Sequence, residues 1–342
     1  PFFSLLLHIK LINNLYTTNN MSVISSLISK SLNLSINNVE STIKLLQDGA
    51  TIPFISRYRK DTTGGLDEVE VENIKNQYEN YKELEKRKEF IVATITEQGK
   101  MTSVLNEKIA NCWDSTILED IYLPFRPKRQ TRAEAARKKG LEDLAIWLMK
   151  QEFGSPSDRA NAFITDEVET TEDALKGASD IVAEWVNEDA PARQDVRRIY
   201  EREAEITSRV IKGKEEEGEK YSDYFDFTAL LSRCPSHRLL AIRRGEAEGF
   251  LRVSITPDDD YCISRLIKRF VNNSSEAASY VEDAVKDGYK RLMKPSMETE
   301  FAKLSKEKAD DAAIAVFAEN MRQLLLAPPL GQKRVLAIDP GF

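Results

Sequence analysis

The stretch LDEVEVENIKNQYENYKELEKRKEFIVATITEQG, residues 66–99, limits the folds open to this chain more than any other. Its apolar and aromatic side chains fall at Ile74, Tyr78, Tyr81, Leu84, Ile91 and Ile95. Such spacing draws one stripe along an α-helix and does not fit the alternation of a strand. Asp67 and Glu70 stand in capping-box positions at its start, and Gly99 supplies the stop. At 1.5 Å per residue this is a rod of ~45 Å, long enough to organise a domain around itself.

Most of the remaining chain follows the same period. In SINNVESTIKLLQDG, Val39, Ile43 and Leu46 share a face and Gly49 ends it. ATIPFISRYRKDTTGG is basic, polar and broken by Pro53 and the Gly64–Gly65 pair. Residues 101–150 give shorter helices interrupted at YLPFRPKRQT, with Thr131 and Glu134 opening a new one, and SPSDRANAF marks a further break. EDALKGASDIVAEWV and ARQDVRRIYEREAEITSRVI read as two amphipathic helices. GKEEEGEK at 213–220 lacks apolar anchors and reads as a flexible loop and the best internal boundary. Beyond it, FLRVSIT at 250–256 alternates as a strand with PDDD as its turn. Helices are expected again at 276–294 and 308–326, the last with Ile314, Phe317, Met321, Leu324 and Leu325 on one face. KRVLAIDPGF at the end reads as a strand. The expected class is mainly α: an extended multi-helix scaffold with a long central helix and a small β element near 250–256.

Composition excludes more than it assigns. The net charge is −7, so nucleic acid would have to be met by a local basic patch. Cys112, Cys234 and Cys262 are far apart, and with only His8 and His237 beside them they form no familiar zinc spacing. That cysteine usage favours a reducing, cytoplasmic compartment. There is no GxSxG, P-loop, GxGxxG or HExxH, so no catalytic residue, metal or cofactor is expected. Asp258–Asp260 reads as turn chemistry rather than a metal site. Residues 1–20 lack a basic n-region, and the apolar run from Phe2 to Leu7 is far short of the ~20 residues a bilayer requires. They are read as sequence upstream of a start at Met21, the alternative being a divergent membrane-targeting leader.

Two basic clusters stand out. Seven of the fourteen residues from Arg126 to Lys139 are Arg or Lys, with Arg126, Lys128, Arg129 and Arg132 in and just beyond a proline-braced loop. Helix N-termini and guanidinium forks suit phosphate oxygens, and the competing reading pairs these cations with the chain's own acidic helices. Arg57, Tyr58, Arg59 and Lys60 form the second cluster, open to the same two readings. Asp339, at the end of the closing strand, stands where RNase H-like folds place a first metal-binding acid, but two-metal chemistry needs several carboxylates.

Four segments carry a family resemblance. PFISRYRKDTTGGLDEVEV, LEDIYLPFRPKRQTRAEAARKKGLEDLA, YSDYFDF followed by CPSHRLLAIRRGEAEGFLRV, and FAENMRQLLLAPPLGQKRVLAIDPGF resemble, in order, the Tex family of bacterial transcription accessory proteins. The resemblance runs from Met21 to Phe342. It implies a helical N-terminal region with a long central helix and helix-turn-helix-like elements. An RNase H-like YqgF domain, not generally considered an active nuclease, would follow, then a helix-hairpin-helix region and an OB-type RNA-binding domain. It further implies binding of single-stranded RNA or DNA, mainly through the OB domain, with the transcription machinery or ribosome as further partners and no membrane. The domains expected are 21–212, a loop at 213–220, a second mostly helical segment at 221–331, and the first strand of a truncated YqgF domain at 332–342. Two alternatives remain, a metal-dependent nuclease with Asp339 as one ligand and a protein-docking module whose basic patches are internal surface. Cys234 stands where the family pattern suggests an apolar residue, a place a small thiol can fill.

Overall fold

A computed structural model describes residues 21–127, 131–327, 333–334 and 336–338. The structure is mainly α, and it divides into two compact units at Arg126/Pro127.

In the first unit, α1 (21–32) is followed by α2 (Ile36–Gln47), α3 (Ile52–Tyr58), α4 (Lys60–Thr63), α5 (Glu68–Glu97), α6 (Ser103–Ala110) and α7 (Ser115–Tyr122). The expected long helix is α5. Its capping box is formed in both directions: Glu70 N–H donates to Asp67 at 2.8 Å and Asp67 N–H donates to Glu70 at 2.9 Å. A left-handed Gly99 follows its end. One helix serves two small cores. Val71 and Ile74 pack with Ile24, Ile28, Val39, Ile43 and Ile55, whereas Ile91 and Ile95 pack with Ile109, Leu118 and Tyr122. Tyr78, Tyr81 and Leu84 lie half-buried between these ends. The Arg87 guanidinium pairs with Glu119 at 2.6 Å and stacks on Phe90 and Tyr122, fastening α7 to α5.

The second unit contains α8 (Arg132–Lys138), α9 (Glu142–Lys150), α10 (Pro156–Ala160), α11 (Thr171–Glu188), α12 (Ala190–Glu203), β1 (Glu205–Val210), β2 (Asp226–Leu230), α13 (Ser236–Ala247), β3 (Leu251–Thr256), α14 (Asp259–Phe270), α15 (Glu276–Asp287) and α16 (Lys294–Leu326). One large core runs from Ala133 to Ala309. Buried α11, with Ala174, Ala178, Ile181, Val182 and Val186 turned inward, packs against α8, α9, α10 and α15. The antiparallel sheet has the order β2-β1-β3.

Four expectations need correction. Residues 213–220 do not divide the chain; they connect β1 to β2 inside one sheet and one core. The helix expected through 211 stops at Glu203. Ala204 turns extended and the chain becomes β1, because Ile206 and Ser208 are buried alternately by the strands on either side. PDDD is a helix start rather than a turn: Asp258 accepts from the N–H groups of Asp260 and Tyr261 and caps α14. The helix expected at 308–326 begins at Lys294, joined to α15 through a π-helical turn, Gly288–Met293. Its apolar face is unburied, with Phe317 64% and Leu325 76% exposed.

Of the closing segment, residues 333–334 and 336–338 form no strand, and Leu336 and Ile338 are exposed. Asp339 and the leader 1–20 lie outside the described residues.

Candidate nucleic-acid interface

The first cluster sits on α3 and its junction with α4. Thr51 precedes the helix in an extended conformation and Pro53 fits its first turn, where no backbone donor is needed. Ile55 and Ser56 are buried, with Ile55 set in the core that α5 shares. That orientation turns Phe54, Arg57 and Tyr58 outward. The Phe54 and Tyr58 rings, one helical turn apart, lie 5.7 Å from centroid to centroid. Arg59 leaves helical geometry at the junction and brings its guanidinium to 5.1 Å from the Phe54 centroid. Arg57 pairs with Glu68 at 3.3 Å, both side chains being more than half exposed. Gly64 closes α4 at φ +71, and a Cβ there would collide with the Asn38 side chain, so glycine fixes this turn.

The second cluster divides by what its members touch. Arg126 is exposed at the end of the first unit, where its N–H donates to Leu123. In the second unit, Thr131 caps α8 by accepting from the N–H of Glu134 at 3.0 Å. Arg132 and Lys138 are exposed on that helix. Arg137 is taken inward: it pairs with the buried Glu184 carboxylate at 2.6 Å. Lys139 donates to the Glu167 carbonyl at 2.9 Å. Pairing with an acidic helix therefore holds for Arg137, while Arg132 lies within electrostatic reach of Asp180. Burial raises the Asp180 carboxyl above the usual range, opposed by Arg291 and Arg132. Lys128 and Arg129 lie outside the described residues.

Other polar groups are already engaged. Asp259 accepts from the Tyr289 hydroxyl at 2.9 Å and from Lys294 at 2.6 Å, so it ties α14 to the π turn and α16. Burial pushes the neighbouring Cys262 thiol up to about 11, which keeps it protonated and inert at neutral pH. Among the described residues, no group of three or more His, Cys, Asp or Glu side chains is placed to hold a metal ion. No described helix is long and apolar enough to cross a membrane.

Sequence reading missed Lys88. It is buried on α5, its ammonium donating to the Ala110 carbonyl at 2.8 Å and lying 3.5 Å from the Trp113 ring centroid. The signal in the sequence was weak: a lysine four residues after Leu84 in the apolar stripe, a position that charge patterning assigns to solvent.

Comparison with known proteins decides the family. Residues 22–96 match the model of the Tex-like protein N-terminal domain, and residues 152–317 match the Tex central region-like model. The chain belongs to the Tex family. A transcriptional accessory protein Tex of Neisseria gonorrhoeae is 37% identical over 327 residues, 93% of this chain and 43% of that protein. An uncharacterized protein of Bacillus subtilis, YdcI, is 38% identical over 324 residues, 92% of this chain and 44% of its own length. A human S1 RNA-binding domain-containing protein is 27% identical over 321 residues, 88% of this chain and 32% of its length. The chain thus spans less than half the length of these relatives. The name of the Neisseria relative describes a transcription accessory protein rather than an enzyme.

Proposed function

We propose that this chain is the helical scaffold of a cytoplasmic, non-enzymatic transcription accessory protein that binds single-stranded nucleic acid, RNA in particular. The observation that carries the proposal is the sorting of cations in the basic stretch. Arg137 serves the fold, whereas Arg126, Arg132, Lys138 and Lys139 are exposed, Lys139 with a hydrogen bond to the Glu167 carbonyl, in a chain of net charge −7. Solvent-facing cations retained against that acidic background suit phosphate oxygens, which fix position without reading sequence. The S1 RNA-binding relative supports the choice of RNA. In this reading residues 332–342 open an RNase H-like domain, and further domains of the longer protein bind alongside this scaffold.

The test is RNA binding by this chain as a function of salt. The logarithm of affinity should fall linearly with log salt, with a slope near −0.7 per phosphate neutralised on a single strand. Arg126→Ala/Lys128→Ala/Arg129→Ala should flatten that slope, and Arg132→Ala should do so by about one phosphate's worth. No binding at low salt would overturn the proposal. A second reading, as a docking module for the transcription machinery or ribosome, draws on the exposed apolar face of α16. Capture of partners that survives nuclease treatment would favour it.

A further inference from the structure

We infer that the outer face of α3 is a stacking platform for an unpaired base, with Tyr58 as its ring and Arg57, Arg59 and Lys60 as its phosphate contacts. The inference rests on the nucleic-acid reading above and gives it a site in the first unit.

A single exposed aromatic is unremarkable on a protein surface. Here two aromatic rings and three cations share one short segment, and the local geometry explains why. Burying Ile55 and Ser56 turns the next helical face outward, so Phe54 and Tyr58 emerge together, 38% and 63% exposed. Phe54 is already engaged on one side by Arg59, whose guanidinium lies 5.1 Å from its centroid. Tyr58 is the more open ring, tilted 42° from Phe54 rather than folded onto it. A base laid on Tyr58 would meet the Phe54–Arg59 stack at its side.

The charge around the rings favours a polyanion. Arg57, Arg59 and Lys60 are opposed by Asp61 and by Glu68, which holds Arg57 at 3.3 Å. An exposed pair of this kind is held by ~0–1 kcal/mol, so a phosphate can displace Glu68 at little cost. The helix beneath is anchored by the buried Ile55 and Ser56, with Ile55 set in the core that α5 shares, so the platform rests on packed structure. Only an unpaired base offers a free face to such a ring; in a duplex those faces are stacked on each other. The partner is therefore a single strand, read by base face and backbone and not by sequence.

The experiment uses the whole chain and fluorescence anisotropy with a labelled oligouridylate and with an RNA duplex of equal length, at low salt. Tyr58→Ala should weaken single-strand binding about 5- to 140-fold, the range that loss of one base–aromatic stack gives. Tyr58→Phe should bind like the parent, because the ring is retained. The salt slope of Tyr58→Ala should stay unchanged, whereas Arg59→Gln/Lys60→Gln should flatten it. Photo-crosslinking of a 4-thiouridine strand should map to the peptide carrying Tyr58. Tyr58 is exposed, so Tyr58→Ala should melt with the parent, and circular dichroism checks this. Unchanged single-strand affinity in Tyr58→Ala, with the Arg126→Ala/Lys128→Ala/Arg129→Ala variant impaired, overturns the platform and leaves the proposed function standing. A parent chain that binds no RNA overturns both. Equal binding of strand and duplex by the parent overturns the platform alone.

Discussion

At the scale of single residues, the fold uses its buried and half-buried cations in two ways. Arg137 pairs with the buried Glu184 carboxylate, which also accepts from the Thr131 hydroxyl, and Arg197 pairs with the half-buried Glu300 at 2.5 Å. Lys88 is used differently, because its partner is a helix end. Ala110 closes α6, so its carbonyl has no partner within the helix, and the ammonium supplies one. Removing it by Lys88→Met should destabilise the first unit by ~1–3 kcal/mol at neutral pH, read by urea unfolding with Trp113 fluorescence. Burial lowers the Lys88 amine below its ordinary 10.5. Between that lowered value and 10.5 the unfolded chain binds more protons than the folded one, so this group's contribution to stability rises with pH. The gap between parent and Lys88→Met should widen as pH climbs toward that limit, and a gap that narrows would refute the assignment.

Among the elements, α11 and the π turn show how closely the second unit is packed. Gly288, the first residue of the π turn, lies against α11 so tightly that a Cβ would come 2.7 Å from the Ala183 carbonyl oxygen. Its backbone is ordinary helix, so the requirement is for space and not for conformation. A backbone carbonyl in a buried helix cannot swing aside as a side-chain end can. Gly288→Ala should therefore cost ~1–3 kcal/mol despite the better helix propensity of alanine, seen as a lower melting temperature of the second unit. An unchanged melt would show that α11 yields. Element by element, the sequence was legible where the signal is local. Asp67, Glu70 and Gly99 bound α5 as read, and Gly49 at φ +85 stops α2. It misled where local pattern and tertiary pairing compete. EREAEITSRV carries a helix-compatible mixture of charge and apolar residues, and pairing with β2 and β3 on both sides makes its second half a strand.

For the whole molecule, the division at Arg126/Pro127 separates cores that share no buried cluster. Residues 21–126 and 127–327, made separately, should each unfold cooperatively, with melting temperatures within a few degrees of their transitions in the intact chain. Failure of either to fold alone would show that the units depend on one another. The candidate site was legible as composition but not as arrangement. Clustered Arg and Lys flagged 126–139 and 57–60, yet no spacing rule distinguishes Arg137, which reaches inward to Glu184, from Arg132, which faces out on the same helix. Tyr58 and Phe54 likewise gain meaning only once Ile55 and Ser56 are seen to face the core.

The sequence by itself determined the class, the family and the caps of α5 and α8, because helix periodicity, capping side chains and glycine stops act within a few residues of each other. Only the tertiary structure decided where the chain divides, which segment becomes the central strand, and which arginines pair inside the fold. Those outcomes depend on burial against residues distant in sequence, such as Glu184 for Arg137 and Ile255 for Ile206, and no local pattern encodes who the distant neighbour is.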